Sequence, residues 1–430
     1  MRVLITATGS HGDINPFIAV GRALLSRGHQ TAFLANPYYK SQAQEAGLEF
    51  IGIGETFELR DLRNYPDVMH PRRGGRVVIN DWLVPFADDM VRLLPGILDS
   101  VRPDVVFHHH IAFAAPWVCE RRGIPCVNGV LAPMMWMNPN DTISPMAWSP
   151  LYPGPIYKWL FRRLGMPLIR RQMNGLINPL RRKHGLAPLK DCWWEFSRGG
   201  AVNLALWSPA LRGPVEGDPD NGVICGFPWH DKHGAVEQPP ADVERFLADG
   251  PPPILFSLGT AAVHVAGRFY HDAAEACRLL NRRGMLLVAN TGLKIDNLPK
   301  GVETFTYIPF SQVMPRVAAS VHHGGIGTTG QGMRAGRPTV IVPHAHDQYD
   351  NAARVKRMGI SETVKRGQLS ARTLAAALRI VLEDPEFARR AADVGRRMTS
   401  EDGAARAAAE VERVAGARAP SREPRTVPAV

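Results

Sequence analysis

Cysteine is scarce: Cys119, Cys126, Cys192, Cys225 and Cys277 are odd in number and never spaced as C-x-x-C. This pattern excludes a disulfide framework or a zinc knuckle as the basis of the fold, and it suits a reducing compartment. No run of about 18 apolar residues is present, so no segment reads as a membrane-spanning helix. Met1-Arg2 leads directly into Val3-Leu4-Ile5-Thr6, an apolar stretch too short for a signal peptide. A cytoplasmic protein is expected, at most peripheral to the inner face of the membrane. Acidic charge is in deficit, 40 residues against 51 basic ones, for a net charge of +11. No aromatic-interleaved basic motif accompanies Arg162-Arg163, Arg170-Arg171 or Arg181-Arg182-Lys183, and nucleic acid is therefore not an expected partner. A solvated surface explains these clusters, and attraction to an anionic membrane is the sharper alternative.

The chain of 430 residues is roughly two to three times the usual length of one domain, so two domains are expected. With 45% hydrophobic and 21% charged residues, each can bury its own core. Residues 3–6 read as a buried strand, followed by the Gly-rich loop Thr8-Gly9-Ser10-His11-Gly12-Asp13. A helix is expected to start near Asn15-Pro16, because Asn caps well and proline at the first helical position loses no hydrogen bond. Phe17, Val20, Leu24 and Leu25 form its apolar stripe, and residues 31–34 read as the next strand. Further strands are expected at 104–107 and 125–127 and, after a Gly/Pro/Asp-rich linker at 212–240, at 254–257, 285–289, 304–308, 320–322 and 339–342. Alternating strands and helices give an α/β chain of two Rossmann-like domains, whose parallel sheets face each other across a cleft. Ligands of such sheets bind at the carboxyl ends of the strands.

The richest loop is His322-His323-Gly324-Gly325-Ile326-Gly327-Thr328-Thr329-Gly330, between a strand and a helix. Its glycines let backbone N–H groups approach an anion, the helix start favours negative charge, and the threonines add donors, so it suits a phosphate. Pro343-His344-Ala345-His346-Asp347-Gln348 follows the last strand, and its adjacent carboxylate and carboxamide match neighbouring sugar hydroxyls. His108-His109-His110 ends a strand of the first domain; alternation of faces keeps the three from converging on one metal ion, whereas one of them can line the cleft. Asp218-Pro219-Asp220, in its Gly/Asn setting, reads as a turn. Residues 133–200 carry Met134, Met135, Trp136, Met137, Met146, Trp148, Trp159, Trp193 and Trp194, which read either as core or as the lining of a site for a greasy ligand.

His322-His323-Gly324-Gly325 with Asp347-Gln348, and Gly9-Ser10-His11-Gly12-Asp13 with Pro16, resemble the glycosyltransferase family 1 pattern on the GT-B fold. Within that family the sequence is similar to the bacterial rhamnosyltransferases of rhamnolipid synthesis. The resemblance is specific over residues 1–36 and 303–360 and weak between 60 and 240. It implies an inverting, metal-independent O-glycosyltransferase without a cofactor, its co-substrate a dTDP- or UDP-linked sugar and its acceptor hydrophobic. Residues 1–230 would bind the acceptor and 231–395 the nucleotide sugar; 396–416 would pack back towards the first domain, and 417–430 would be a disordered tail. His322, Gly325, Gly327 and Thr328 would hold the pyrophosphate and Asp347 and Gln348 the sugar, with Tyr307 under the base and Thr260 on the phosphate side. Asp13, at the position of the family's catalytic histidine, would be the base, with His11 as the second candidate; Trp82, Phe86, His109, Met135 and Trp136 would line the acceptor's path. A nucleotide-sugar epimerase and a non-catalytic partner of the same fold are the alternatives.

Overall fold

The computed structural model describes residues 1–56, 59–141, 149, 154–193, 199–230 and 238–417. Of the residues singled out above, Met146, Trp148, Trp194 and 418–430 lie outside these. Two parallel sheets organise the chain. The first comprises β1 (Arg2–Thr6), β2 (Gln30–Ala35), β3 (Glu49–Gly52), β4 (Val105–His109), β5 (Cys126–Val130), β6 (Val202–Ala205) and β7 (Gly222–Ile224), in the order β3-β2-β1-β4-β5-β6-β7. The second comprises β8 (Ile254–Ser257), β9 (Gly284–Leu287), β10 (Val302–Phe305), β11 (Ala319–His322), β12 (Thr339–Ile341) and β13 (Ser361–Thr363), in the order β10-β9-β8-β11-β12-β13. Their central strands are buried on both faces, which is why they read as continuous apolar runs.

Several expectations shift. Strands β3, β6, β7 and β13 are short or half polar and carry no periodic signal. The strand expected at 304–308 lies at Val302–Phe305, which leaves Tyr307 in the loop beyond it. Residues 212–240 are more than a linker, since β7 closes the first sheet's edge within them. The first helix is His11–Ser26, capped by Ser10, so Asn15-Pro16 sits inside it. A reciprocal bond between Ser10 and Asp13 satisfies the helix end one turn earlier than the proline suggested.

The closing helix Gly403–Gly416 buries Ala407, Ala408, Val411 and Val414 in one core with Val3, Ile5, Phe17 and Ile18 of the first domain. A second cluster spans the domains, joining Trp136, Trp207 and Phe227 to Met333, Ile341, Val355, Val394 and Met398. In the opposite direction, residues 59–83 reach from the first domain onto the second, where Leu62, Val68 and Met69 share a core with Leu258, Ala262 and Val342.

Beside the interdomain cluster lies a buried ionic network. Asp141 accepts from Arg212 Nε at 2.9 Å and from Arg354 Nη2 at 2.9 Å, and Arg354 Nε also reaches Asp350 at 2.7 Å. Asp141, Arg212 and Arg354 are 8%, 4% and 4% exposed, and Arg212 also pairs with Asp218 in the turn. Burial alone would raise the Asp141 pKa, but the charges of Arg354 and Arg212 override it and hold it at about 2. Replacing Asp141 with Ala leaves two buried guanidinium groups with less compensation and is expected to cost about 3–5 kcal/mol, measured by urea unfolding at neutral pH. Because the folded pKa lies below the unfolded value of 3.8, this contribution is complete above pH about 4 and is lost as pH falls towards 2. A variant as stable as the parent, with the same acid transition, would remove the network from any structural role.

Candidate active site

The carboxyl ends of β1 and β4 set one wall of the cleft. Asp13 lies in the first turn of His11–Ser26, where its Oδ2 accepts from the Ser10 backbone N–H at 2.7 Å and from Ser10 Oγ at 3.0 Å. Its Oδ1 faces His109 Nε2 at 4.0 Å. A Cβ on Gly9, which has φ +121°, would stand 2.4 Å from Asp13 Oδ2, so only glycine lets the loop backbone lie against this carboxylate. Burial pushes the Asp13 pKa up to about 6, against the lowering effect of the Ser10 hydrogen bonds. His109 is fully buried at the end of β4, with Nδ1 3.1 Å from the Thr8 carbonyl. A carbonyl can only accept, so Nδ1 carries the proton and Nε2 presents a lone pair towards Asp13. Burial first, and then the neighbouring His110, holds His109 neutral. It therefore supplies no positive charge that would keep Asp13 ionised at lower pH. The other two histidines of the triplet are engaged elsewhere, His108 with the His109 carbonyl and His110 with that of Gly129. His11 turns away from this pair, with Nδ1 3.1 Å from Gln42 Oε1 and its ring edge-on to Tyr39.

The second wall comes from the loops after β8, β11 and β12. His322 is the last residue of β11 and is 0% exposed; its Nδ1 accepts the Gly324 N–H at 3.1 Å. The next residue, His323, has turned out of the strand, and its ring lies between two glycine loops. A Cβ on Gly259 or on Gly325 would come within 2.5 Å of that ring. Strand geometry sends His322 into the interior and delivers its neighbour to the helix start, so His323, and not the expected His322, stands at the glycine loops. Burial, then His322 and His344, holds His323 neutral. The helix Ile326–Ala335 begins here. Its first intrahelical bond runs from Thr329 N–H to Gly325 O, which leaves the N–H groups of 326–328 aimed out of the helix end beside Gly327, where space is open. Thr260 stands in the first turn of Gly259–Ala262, directly after the glycine that faces the His323 ring.

Asp347 precedes the helix Gln348–Arg357 and accepts from Asn351 Nδ2 at 2.7 Å. Burial, and then the charge of Asp13 across the cleft, raises its pKa to about 7. Gln348 behaves differently from its neighbour. It is 4% exposed, and its Oε1 accepts from the N–H groups of His344 and Ala345 at 2.8 and 3.1 Å while Nε2 faces Met69 Sδ at 3.9 Å. Its carbonyl shapes the loop and is not open to a sugar, because two backbone donors there would otherwise be unsatisfied. The Met69 segment was missed in the sequence: its carbonyl accepts from Arg366 at 2.7 Å and Val68 bonds His346, contacts for which a short Pro-Asp-Val-Met turn gives no signal.

Both halves of the chain resemble known proteins. Residues 3–134 match the glycosyltransferase family 28 N-terminal domain, and 285–414 match the erythromycin biosynthesis protein CIII-like C-terminal domain. The O-mycaminosyltylonolide 6-deoxyallosyltransferase of Streptomyces fradiae is 29% identical over 99% of this chain and 100% of its own. The calicheamicin glycosyltransferase CalG4 superposes with a TM-score of 0.72 at 22% identity, covering 97% of this chain and 99% of that one. The spinosyn rhamnosyltransferase SpnG, complexed with thymidine diphosphate, gives 0.66 at 18% identity over 96% and 100%. The chain is a glycosyltransferase of the GT-B fold.

Within the glycosyltransferase, the sequence-derived acceptor residues are not brought together. Trp136 is 2% exposed, packed edge-on to Trp207 at 4.8 Å with the Arg212 guanidinium over its ring, so it belongs to the interdomain core and not to an acceptor path. Trp82 packs on the second domain's core beside Tyr65, at 5.5 Å. Phe86 and Met135 are half-buried against the outer core of the first domain. Tyr307 is half-buried in the loop after β10. The pairing that the fold does create is Asp13 with His109, facing Asp347. Gly325→Ala tests the glycine cage: the added methyl drives into the His323 ring, so the variant should lose about 1–3 kcal/mol and gain less melting temperature than the parent on adding thymidine diphosphate. Equal ligand-induced shifts would show that the cage has no part in binding.

Proposed function

We propose that the glycosyltransferase transfers a sugar, with inversion and without a metal ion, from a deoxythymidine diphosphate donor to a hydroxyl group of a hydrophobic acceptor. The carrying observation is the Asp13 carboxylate, which has one oxygen fixed by the helix cap and the other directed past neutral His109 into the cleft opposite Asp347. A hydroxyl attacks an anomeric carbon readily only if its proton is removed as the bond forms. Asp13 is ionised above pH about 6 and takes that proton on Oδ1. Asp347 holds the sugar from the other wall. The departing nucleotide diphosphate gains negative charge, which the helix N–H groups of 326–328, the Thr328 hydroxyl and His323 take up in place of a divalent cation. The SpnG complex with thymidine diphosphate favours a deoxythymidine over a uridine donor, and likeness to the 6-deoxyallosyltransferase favours a natural-product acceptor. The epimerase and non-catalytic readings receive no support from these relatives.

The cap and the base are separable. Asp13→Asn retains an oxygen for the Ser10 donors and should keep its melting temperature and donor affinity while turnover falls by roughly 10²- to 10⁴-fold. The parent's kcat should rise with pH through about 6 and then level, since the base works only when ionised. Full activity in Asp13→Asn, or a larger loss in His11→Ala, would move the base away from Asp13.

His323→Ala should lower turnover by roughly 10²- to 10³-fold, assayed in the presence of a chelator that leaves the parent's rate unchanged. Loss of the parent's activity in the chelator, restored by Mg²⁺, would overturn the metal-free arrangement. An unaffected His323→Ala variant would displace the leaving-group site.

A further inference from the structure

Residues 155–183 form one continuous helical rod, built from Pro155–Leu160, a π-helical turn over Phe161–Gly165, and Met166–Lys183. Its C-terminal part behaves as a helix on a globular domain should, burying Met173, Ile177 and Leu180 in the core that also holds Leu94 and Leu98. The N-terminal part does the reverse. Ile156, Trp159, Leu160, Leu164 and Leu168 recur at helical spacing and are 77%, 58%, 41%, 66% and 57% exposed, which makes them five of the eight exposed large hydrophobic residues among the described ones. From Ile156 to Leu168 the stripe runs about 18 Å. A contiguous apolar stripe of this kind is costly in water and signals a binding surface.

Charge identifies what binds it. The rod carries eight basic residues, Lys158, Arg162, Arg163, Arg170, Arg171, Arg181, Arg182 and Lys183, and no acidic residue. Two of the charges at its C-terminal part are answered by the domain, Arg170 by Asp191 and Lys183 by Asp88. Near the stripe, Lys158 bonds the Asn140 carbonyl and Arg162 the Asn140 side chain, both neutral, while Arg163 and Arg171 are exposed without an acidic partner among the described residues. A protein partner helix would be expected to find some acidic residues with which to fix its register. A uniformly basic rod with an exposed Trp/Leu/Ile stripe has instead the composition of a helix that lies in the headgroup layer of an anionic bilayer. No helix among the described residues is long and apolar enough to cross a membrane, so such contact is peripheral.

We propose that residues 156–171 dock the protein on an anionic lipid surface, with Trp159, Leu164 and Leu168 inserted among the acyl chains and Arg163 and Arg171 on the headgroups. This surface is separate from the residues placed in the cleft, and the proposal holds whatever the acceptor is. The full-length protein should co-sediment with vesicles of equimolar phosphatidylglycerol and phosphatidylcholine but not with pure phosphatidylcholine. Arg163→Gln and Arg171→Gln should each weaken that binding roughly fivefold, and Leu164→Glu with Leu168→Glu should abolish it. All variants should keep the parent's melting temperature and its shift with thymidine diphosphate, because these side chains are exposed. Equal binding to both kinds of vesicle, no binding to either, or a parent that is dimeric where the double Glu variant is monomeric would each overturn the proposal.

Discussion

The geometry of the cleft hangs on one buried carboxylate. Asp141 belongs to the first domain, and the guanidinium it grips, Arg354, lies two turns along the helix whose leading residue is Asp347. The helix is thereby fixed against the first domain, and Asp347 is held opposite Asp13. Arg212 and Asp218 complete the network on the first domain's side, while Asp350 completes it on the second. A salt bridge this deeply buried is weak evidence for net stability, since desolvation offsets much of its attraction. Its contribution here is directional: Arg354 is forked and donates to Asp141 and Asp350 at once, which sets the orientation of the helix as well as its distance.

Around that anchor the domains exchange segments in both directions. The closing helix packs into the first domain's core, and residues 59–83 pack on the second domain's. Met69 reaches the loop that carries Asp347 through Gln348, and its carbonyl holds Arg366 beyond β13. The two walls of the site are therefore cross-braced by elements remote from it in sequence, which confines the mutual position of Asp13 and Asp347 more tightly than a single hinge would.

The electrostatics of the site follow from its burial. Asp13 and Asp347 are both raised towards neutral pH, chiefly by desolvation, and Asp13 adds to the rise at Asp347 across the cleft. The surrounding histidines are lowered for the same reason and supply dipoles and lone pairs instead of charge. Burial thus moves carboxylates and imidazoles in opposite directions for one reason, the cost of keeping a charge out of water.

The sequence by itself determined the two α/β units, the Gly-rich loops at strand ends and the place of Asp13 just beyond the first strand, because these depend on local periodicity, glycine and position relative to a strand. Most central strands were legible, since strands buried on both faces are apolar without interruption; β3, β6, β7 and β13, short or partly polar, were not. The tertiary structure alone decided which of two adjacent histidines stands at the glycine loops and which is sent into the interior, because that turns on where β11 ends. It alone showed that Gln348 serves its own loop, that Trp136 lies in an interdomain core, and that Asp141, Arg354 and Met69 support the site. Each of these roles is a contact between residues far apart in the chain. A side chain's local pattern fixes the face it takes on its own element, but only the packing of elements decides what that face meets.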